Sequence, residues 1–152
     1  GFPMSPFELL DLVGPGVALH VSETLHENLG PRYRISPTMQ AMVGAKVRNF
    51  YIKGADGKVS PNPDAVALIK QGDTPSTAEQ VRERALKALA TEARMMLDEG
   101  VVSSAAEIDL CMLMGSGWPM HLGGILPYLD REGISLAVCG QRFHAPGIAS
   151  LP

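Results

Sequence analysis

Residues 1–14 read GFPMSPFELLDLVG, and residues 115–133 read GSGWPMHLGGILPYLDREG. Both stretches contain Gly, an aromatic residue, Pro and Met in that order, starting at Gly1 and at Gly117. Self-similarity of this kind indicates an internal repeat, so we expect two copies of one element. The surrounding sequence shows what kind of element it is.

Helix signals follow the first copy. Ser5 and Glu8 have the spacing of a capping box, and Gly14 ends the segment. Residues 15–30 predict a second helix, and we expect the Asp11 side chain to face solvent. Phe50 and Tyr51 favour a strand, and Asp56-Gly57 favours a tight turn, which together predict a short hairpin or irregular arm.

The second half has the strongest helix signal in the chain. Residues 76–100 start with Ser76 and Glu79 at capping-box spacing, and a further helix is predicted after Ser104. We therefore predict an all-α fold of two units, residues 1–73 and 74–152, joined by the arm. The first unit would lack, at its N-terminus, the helices that precede the shared pattern in the second.

Composition excludes several classes of protein. The 152 residues carry a net charge of −3, which gives no basis for nucleic acid as a partner. The sequence contains no run of about 18 apolar residues, so it predicts no transmembrane segment. Cys111 and Cys139 lie among apolar residues and are expected to be reduced, buried thiols, which favours a cytoplasmic protein.

The residues that usually carry chemistry show no recognisable site. There is no Gly-x-Gly-x-x-Gly after a strand, and the four histidines lack metal-ligand spacing. Cys111 with His121 is a conceivable thiol–imidazole pair, whereas Asp109 suits a structural tie between a helix and a loop. We predict no catalytic, cofactor-binding or metal-binding residue in this chain, and Trp118 as a core or interface anchor.

The stretch GFPMSPF allows two interpretations. In the first it is a helix-entry turn, stiffened by its prolines, whose Phe2 and Met4 fill the core. In the second, Met4, Phe7 and Leu10 form part of an apolar wall over a ligand.

These motifs resemble a known family. GFPMSPFELLDLVG followed by VALHVSETLHE is similar to the C-terminal helical region of 3-hydroxyacyl-CoA dehydrogenases. Residues 92–133 resemble the second helical repeat of the multifunctional alpha subunits of fatty-acid oxidation complexes. Two departures stand out: Ser5 replaces a usual glycine, and Asn49 replaces a glycine in the arm.

The resemblance implies a fold and a function. The fold would be the paired helical repeat of the 6-phosphogluconate dehydrogenase C-terminal type. The parent enzyme would oxidise L-3-hydroxyacyl-CoA to 3-ketoacyl-CoA with NAD, and would also carry an enoyl-CoA hydratase domain. In the family, the NAD-binding loop and the catalytic His-Glu pair lie in an upstream domain, so the chain alone should be inactive.

The resemblance also implies contacts. Pro3, Met4, Phe7 and Leu10 match the part of the motif that borders the acyl group, and the helical repeats cap the acyl-CoA cleft and form the subunit interface. Expected partners are the protein's own nucleotide-binding and hydratase domains, a second copy in a homodimer, and a thiolase beta subunit.

Two other classes remain open at this point. The chain could be a free-standing helical interaction or acyl-binding module, or a hydrolase that uses Cys111 or a histidine. We also expect the apolar sides of residues 6–13 and 17–29 to be partly uncovered, which favours self-association.

Overall fold

The computed structural model describes residues 3–70 and 72–148. The chain divides into two compact units, the first from Met4 to Pro75 and the second formed by Pro3 with residues 76–148. The described residues form eight α-helices and one two-stranded sheet, which confirms the predicted all-α fold with a hairpin arm.

In the first unit each helix starts at a proline. The helices are α1 (Pro6–Val13), α2 (Pro15–Leu29), α3 (Pro37–Gly44) and α4 (Pro63–Ala67). Proline suits the first helical position because its missing N–H has no intrahelical partner there and its φ is already helical. Gly14 separates α1 from α2 with φ +94°, a conformation that favours glycine.

The arm of the first unit is a hairpin. Strands β1 (Tyr51–Lys53) and β2 (Val59–Pro61) pair antiparallel, with Tyr51 opposite Pro61 and Lys53 opposite Val59. Gly57 has φ +80° in the turn, as the Asp56-Gly57 pair predicts. The two strands are too short to be stable alone, so the arm depends on its attachment to the helices.

The second unit contains α5 (Ala78–Asp98), α6 (Ala105–Gly115), a 3₁₀ turn (Met120–Leu122), α7 (Ile125–Arg131) and α8 (Ile134–Cys139). The predicted capping box of α5 was wrong by one residue, because Thr77 and Gln80 form it instead of Ser76 and Glu79. Ser104 precedes α6 without a side-chain cap, and Glu107 bonds to Ser103 instead.

The second unit has the larger core. Trp118 is buried there, as predicted, in a cluster with Leu86, Ala90, Ala93, Ile108, Ile125, Leu126 and Leu129. In the described part of the first unit the buried apolar residues are Pro15, Leu19, Met42 and Ala65. Across the described residues, every helix is too short or too polar to cross a bilayer.

Candidate functional site

Three of the four predicted acyl contacts lie on the segment formed by α1 and the two residues before it. Ser5 caps this helix: its Oγ accepts a bond from the Glu8 N–H at 3.3 Å, and Glu8 Oε2 accepts from the Ser5 N–H at 2.7 Å. Two hydrogen bonds with Ser5 lower the pKa of Glu8. The bond from the Ser5 N–H has the larger effect, and the bond with the Ser5 hydroxyl has the smaller one. The capping box therefore contributes stability when the pH is above the unfolded-state pKa of Glu8. This contribution is lost as the pH falls through the lowered pKa of the folded state.

Met4, Phe7 and Leu10 lie on this segment, and Pro3 does not group with them. Met4 is exposed, Leu10 is half-buried, and the Phe7 side chain remains 50% exposed. Pro3 belongs to the second unit, where its ring would lie 3.1 Å from a Cβ placed at Gly117. The site prediction for these four residues stays a prediction.

Phe7 forms one wall of an apolar pocket. Its ring packs against that of Phe50 with centroids 5.0 Å apart and ring planes tilted by 56°. The pocket has a volume of about 120 Å³, and we call it the Phe7 pocket. It is lined by Phe7, Phe50, Tyr51, Pro61, Ala65, Val66 and Ile69.

Asp11 binds the arm, which supplies Phe50, Tyr51 and Pro61 to the lining of the pocket. Its Oδ1 accepts a bond from the Phe50 N–H at 2.6 Å, and its Oδ2 accepts from the Tyr51 N–H at 2.9 Å. The expectation that Asp11 faces solvent was therefore wrong. A carboxylate can accept two adjacent N–H groups at once, so a single side chain fixes both residues of the arm.

Asn62 continues the attachment from the arm to α4. Its N–H donates to the Phe50 carbonyl at 2.8 Å, and its side-chain amide donates to the Asn49 carbonyl at 2.8 Å. Its Oδ1 then accepts from the Asp64 N–H and caps α4, the helix whose Val66 lines the pocket. Sequence reasoning missed Phe50, Val66 and Ile69 as pocket residues because nothing local indicates which helix packs beside Phe7.

The second unit repeats the Asp11 arrangement. Asp130 accepts bonds from the N–H groups of Phe143 and His144 at 3.0 and 2.9 Å, as Asp11 does from Phe50 and Tyr51. Ser135 also donates to Asp130. Each aspartate follows one copy of the Gly-aromatic-Pro-Met pattern in the sequence. Asp11 binds the Phe50-Tyr51 dipeptide, and Asp130 binds the Phe143-His144 dipeptide. This shared geometry supports the internal repeat and makes Asp130 equivalent to Asp11.

Asp109 supplies a contact in the second unit that ties α6 to the segment after α8. Its Oδ1 accepts from the Leu126 N–H at 2.8 Å, and its Oδ2 lies 2.7 Å from His144 Nε2. Both side chains are largely buried. The predicted structural role of Asp109 agrees with these bonds, which engage both oxygens of its carboxylate.

A larger groove lies elsewhere in the first unit. It has a volume of about 530 Å³, and its lining mixes apolar side chains such as Leu12 and Val43 with Lys46 and Arg48. Both basic residues are exposed. Among the described residues no three His, Cys, Asp or Glu side chains cluster closely enough to hold a metal ion.

The two cysteines differ in their surroundings. Cys111 is exposed, so the expectation that it is buried was wrong; α6 directs Ile108 and Asp109 inward and Cys111 outward. Cys139 is half-buried, with its Sγ 3.7 Å from the Ala90 carbonyl. Burial raises the pKa of the Cys139 thiol, an effect that Arg94 opposes.

Alkylation is expected to distinguish the two thiols. At pH 7.5, N-ethylmaleimide should modify Cys111 at least about tenfold faster than Cys139, because only an accessible thiolate reacts. Peptide mass spectrometry over a time course measures both rates, and a Cys111→Ser variant isolates the slower one. Equal rates would contradict the burial of Cys139.

Comparison with known proteins places the repeat in context. Residues 1–49 match the family model of the 3-hydroxyacyl-CoA dehydrogenase C-terminal domain. The chain is 32% identical over 142 residues to the fatty acid oxidation complex subunit alpha of Shewanella putrefaciens, which covers 88% of this chain and 20% of that protein. The subunit alpha of Shewanella amazonensis is 31% identical over 147 residues, covering 91% and 21%.

These matches confirm the resemblance to the C-terminal region of 3-hydroxyacyl-CoA dehydrogenases and to fatty-acid oxidation alpha subunits. The chain spans about a fifth of the length of these relatives.

Proposed function

We propose that this chain is the C-terminal helical part of a multifunctional 3-hydroxyacyl-CoA dehydrogenase. The whole protein oxidises L-3-hydroxyacyl-CoA to 3-ketoacyl-CoA with NAD, and it also carries enoyl-CoA hydratase activity. The observation that carries the proposal is the family match at residues 1–49 together with alpha-subunit similarity over 88% of the chain. The repeated aspartate arrangement of Asp11 and Asp130 supports the two-repeat form.

The role of the chain in that reaction is to cover the acyl group. Hydride transfer between a substrate carbon and NAD requires that water be excluded from the reacting atoms. Met4 and Phe7 present apolar side chains to the exterior of the first unit, and Leu10 is half-buried beside them. With Pro3, these residues are the proposed acyl contacts. NAD is bound by the upstream domain of the parent enzyme, and none of the residues of this chain is proposed to hold it.

The partners follow from the same assignment. The chain packs against the protein's own nucleotide-binding and hydratase domains in the cytoplasm, and a second copy and a thiolase beta subunit complete the assembly. Exposed apolar side chains on α1 and α2, among them Leu12, Val17 and Val21, support an interface on these helices. Light scattering of the 152-residue chain measures self-association directly.

The enzymatic proposal is tested by NADH formation. A full-length protein that contains this chain is expected to reduce NAD when given a 3-hydroxyacyl-CoA, and the 152-residue chain alone is expected to produce no detectable NADH. Phe7→Ala should lower kcat/KM about tenfold through lost apolar contact, with Val59→Ala at an exposed position of β2 as a control of unchanged activity.

Two results would contradict the proposal. Absence of NADH formation by the full-length protein with every chain length would exclude the dehydrogenase. Turnover by the isolated chain at an ordinary enzymatic rate would show that it contains catalytic residues of its own.

An acyl-binding module is the second candidate. The Phe7 pocket favours it, because every residue that lines the pocket belongs to the first unit. Binding of acyl-CoA by the chain, together with an inactive full-length protein, would select this function over the dehydrogenase.

A further inference from the structure

The lining of the Phe7 pocket determines what chemistry it can accept. None of its seven lining residues carries a charge, and apart from the Tyr51 hydroxyl their side chains are hydrocarbon. A phosphate or carboxylate would lose its hydration there without gaining an ionic partner. A saturated hydrocarbon group gains free energy by leaving water for such a surface. The pocket is therefore suited to the apolar part of a ligand.

The walls of the pocket are fixed before any ligand arrives. Asp11 holds Phe50 and Tyr51, and Asn62 joins Phe50 to the start of α4. Beyond α4, the Lys70 N–H donates to Thr38 Oγ1 at 3.2 Å, which ties the end of this segment to α3. Because these bonds already order the arm and α4, binding requires little further ordering of the protein.

The size of the pocket limits its occupant. An apolar cavity of about 150 Å³ lined by Leu, Ile and Phe holds a benzene molecule. At about 120 Å³, the Phe7 pocket accommodates a hydrocarbon group of similar size. A nucleotide is too large and too polar for it.

The second unit shows how a protein helix could cover the same face. Counting from Asp130 and Asp11, Leu126 is equivalent to Phe7, and Gly124 is equivalent to Ser5. Leu126 is only 1% exposed, and its N–H is bound by Asp109 from α6. This approach requires glycine at position 124, since a Cβ there would lie 2.2 Å from the Asp109 carboxyl carbon.

In the first unit, Ser5 stands in place of this glycine. Ser5 carries a side chain at the position equivalent to Gly124, and its Oγ accepts the Glu8 N–H, which caps α1. By this equivalence, a helix that carries a carboxylate would meet the Ser5 side chain if it approached α1 as α6 approaches α7. The Phe7 side chain is exposed in the first unit, and it is accessible there to a smaller, flexible occupant.

From these observations we infer that the Phe7 pocket receives the end of the acyl chain, and that Phe7, Val66 and Ile69 limit the chain length. This inference rests on the proposed function, and it adds α4 and the arm to the acyl site. Val66 and Ile69 both lie partly exposed beside the pocket, so a larger side chain at either position fills the space without entering the core.

The experiment compares chain lengths in the full-length protein. Val66→Phe is expected to lower kcat/KM for a ten-carbon 3-hydroxyacyl-CoA about tenfold and to leave the four-carbon substrate within about twofold, because excluding two methylenes costs roughly this factor. Val59→Phe is the matched control, since Val59 is exposed on β2 and does not line the pocket. It should leave both substrates unchanged.

The outcomes separate the inference from the proposed function. If the wild-type protein turns over both substrates and Val66→Phe affects both equally or neither, the inference is overturned and the dehydrogenase stands.

If the wild-type protein forms no NADH with either substrate, the proposed function fails and binding decides the inference. Methyl NMR of the 152-residue chain would then be recorded with decanoyl-CoA and with CoA. Shifts of the Val66 and Ile69 methyl signals with decanoyl-CoA alone support the pocket as an acyl site. Unchanged signals, or equal shifts with CoA, overturn it.

Discussion

Replacing Gly124 with alanine is expected to lower the free energy of unfolding of the second unit by about 3 kcal/mol, the upper part of the usual range for overpacking. The new Cβ would lie 2.2 Å from Cγ and 2.3 Å from Oδ1 of Asp109. Asp109 cannot retreat easily, because its oxygens bind the Leu126 N–H and His144 Nε2 in a largely buried position. Either α7 shifts away from α6, or Asp109 loses its partners.

The measurement is urea unfolding followed by tryptophan fluorescence. The chain has one tryptophan, Trp118, and it is buried in the core of this unit. Gly115→Ala is the control, since a Cβ at this position of α6 meets nothing within 4 Å. It should leave stability unchanged or raise it by up to about 1 kcal/mol. A wild-type midpoint for Gly124→Ala would contradict the close approach of Asp109.

Replacing Asp130 with alanine is the second change with a large expected effect. It removes the acceptor for the N–H groups of Phe143 and His144 and for the Ser135 hydroxyl. Asp130 is only 4% exposed. Unsatisfied buried donors cost about 1–3 kcal/mol each when water cannot reach them. We expect a loss of about 3 kcal/mol, measured again through Trp118.

The equivalent change in the first unit should cost less. Asp11→Ala removes two bonds, but Phe50 and Tyr51 are only half-buried, so water can replace the carboxylate. We expect about 1.5 kcal/mol, with faster amide exchange at Phe50 and Tyr51. Asp56→Ala, which affects only the exposed turn at Lys58, is the control and should change stability by less than about 0.5 kcal/mol. Equal losses for Asp11→Ala and Asp56→Ala would show that the aspartate arrangement does not stabilise the first unit.

Local signals in the sequence predicted the elements whose causes are local. Ser5 and Glu8 form the capping box that their spacing indicates, and Gly57 occupies the hairpin turn. The capping box of α5 was misplaced by one residue because Ser76-Thr77 offers two hydroxyls in succession, each followed three residues later by a suitable Glu or Gln. Which hydroxyl caps the helix depends on where its first turn begins.

Side-chain roles across long sequence separations were harder to predict. Asp11 was expected in solvent because a carboxylate in a helix usually lies there, yet its partners are 39 and 40 residues away. Cys111 was expected in the core from its apolar neighbours, but these neighbours lie on two sides of α6. In both cases the helix was predicted correctly, but the direction of the side chain depended on how that helix packs.

The sequence by itself determined that the chain is helical, that a Gly-aromatic-Pro-Met pattern occurs twice, and that it resembles the C-terminal region of 3-hydroxyacyl-CoA dehydrogenases. These features depend on residue types and short spacings. Only the tertiary structure decided that Asp11 and Asp130 hold equivalent segments and that Val66 and Ile69 complete a pocket beside Phe7. Such contacts join residues that are far apart in the chain, and their geometry is set by how helices and the arm pack together.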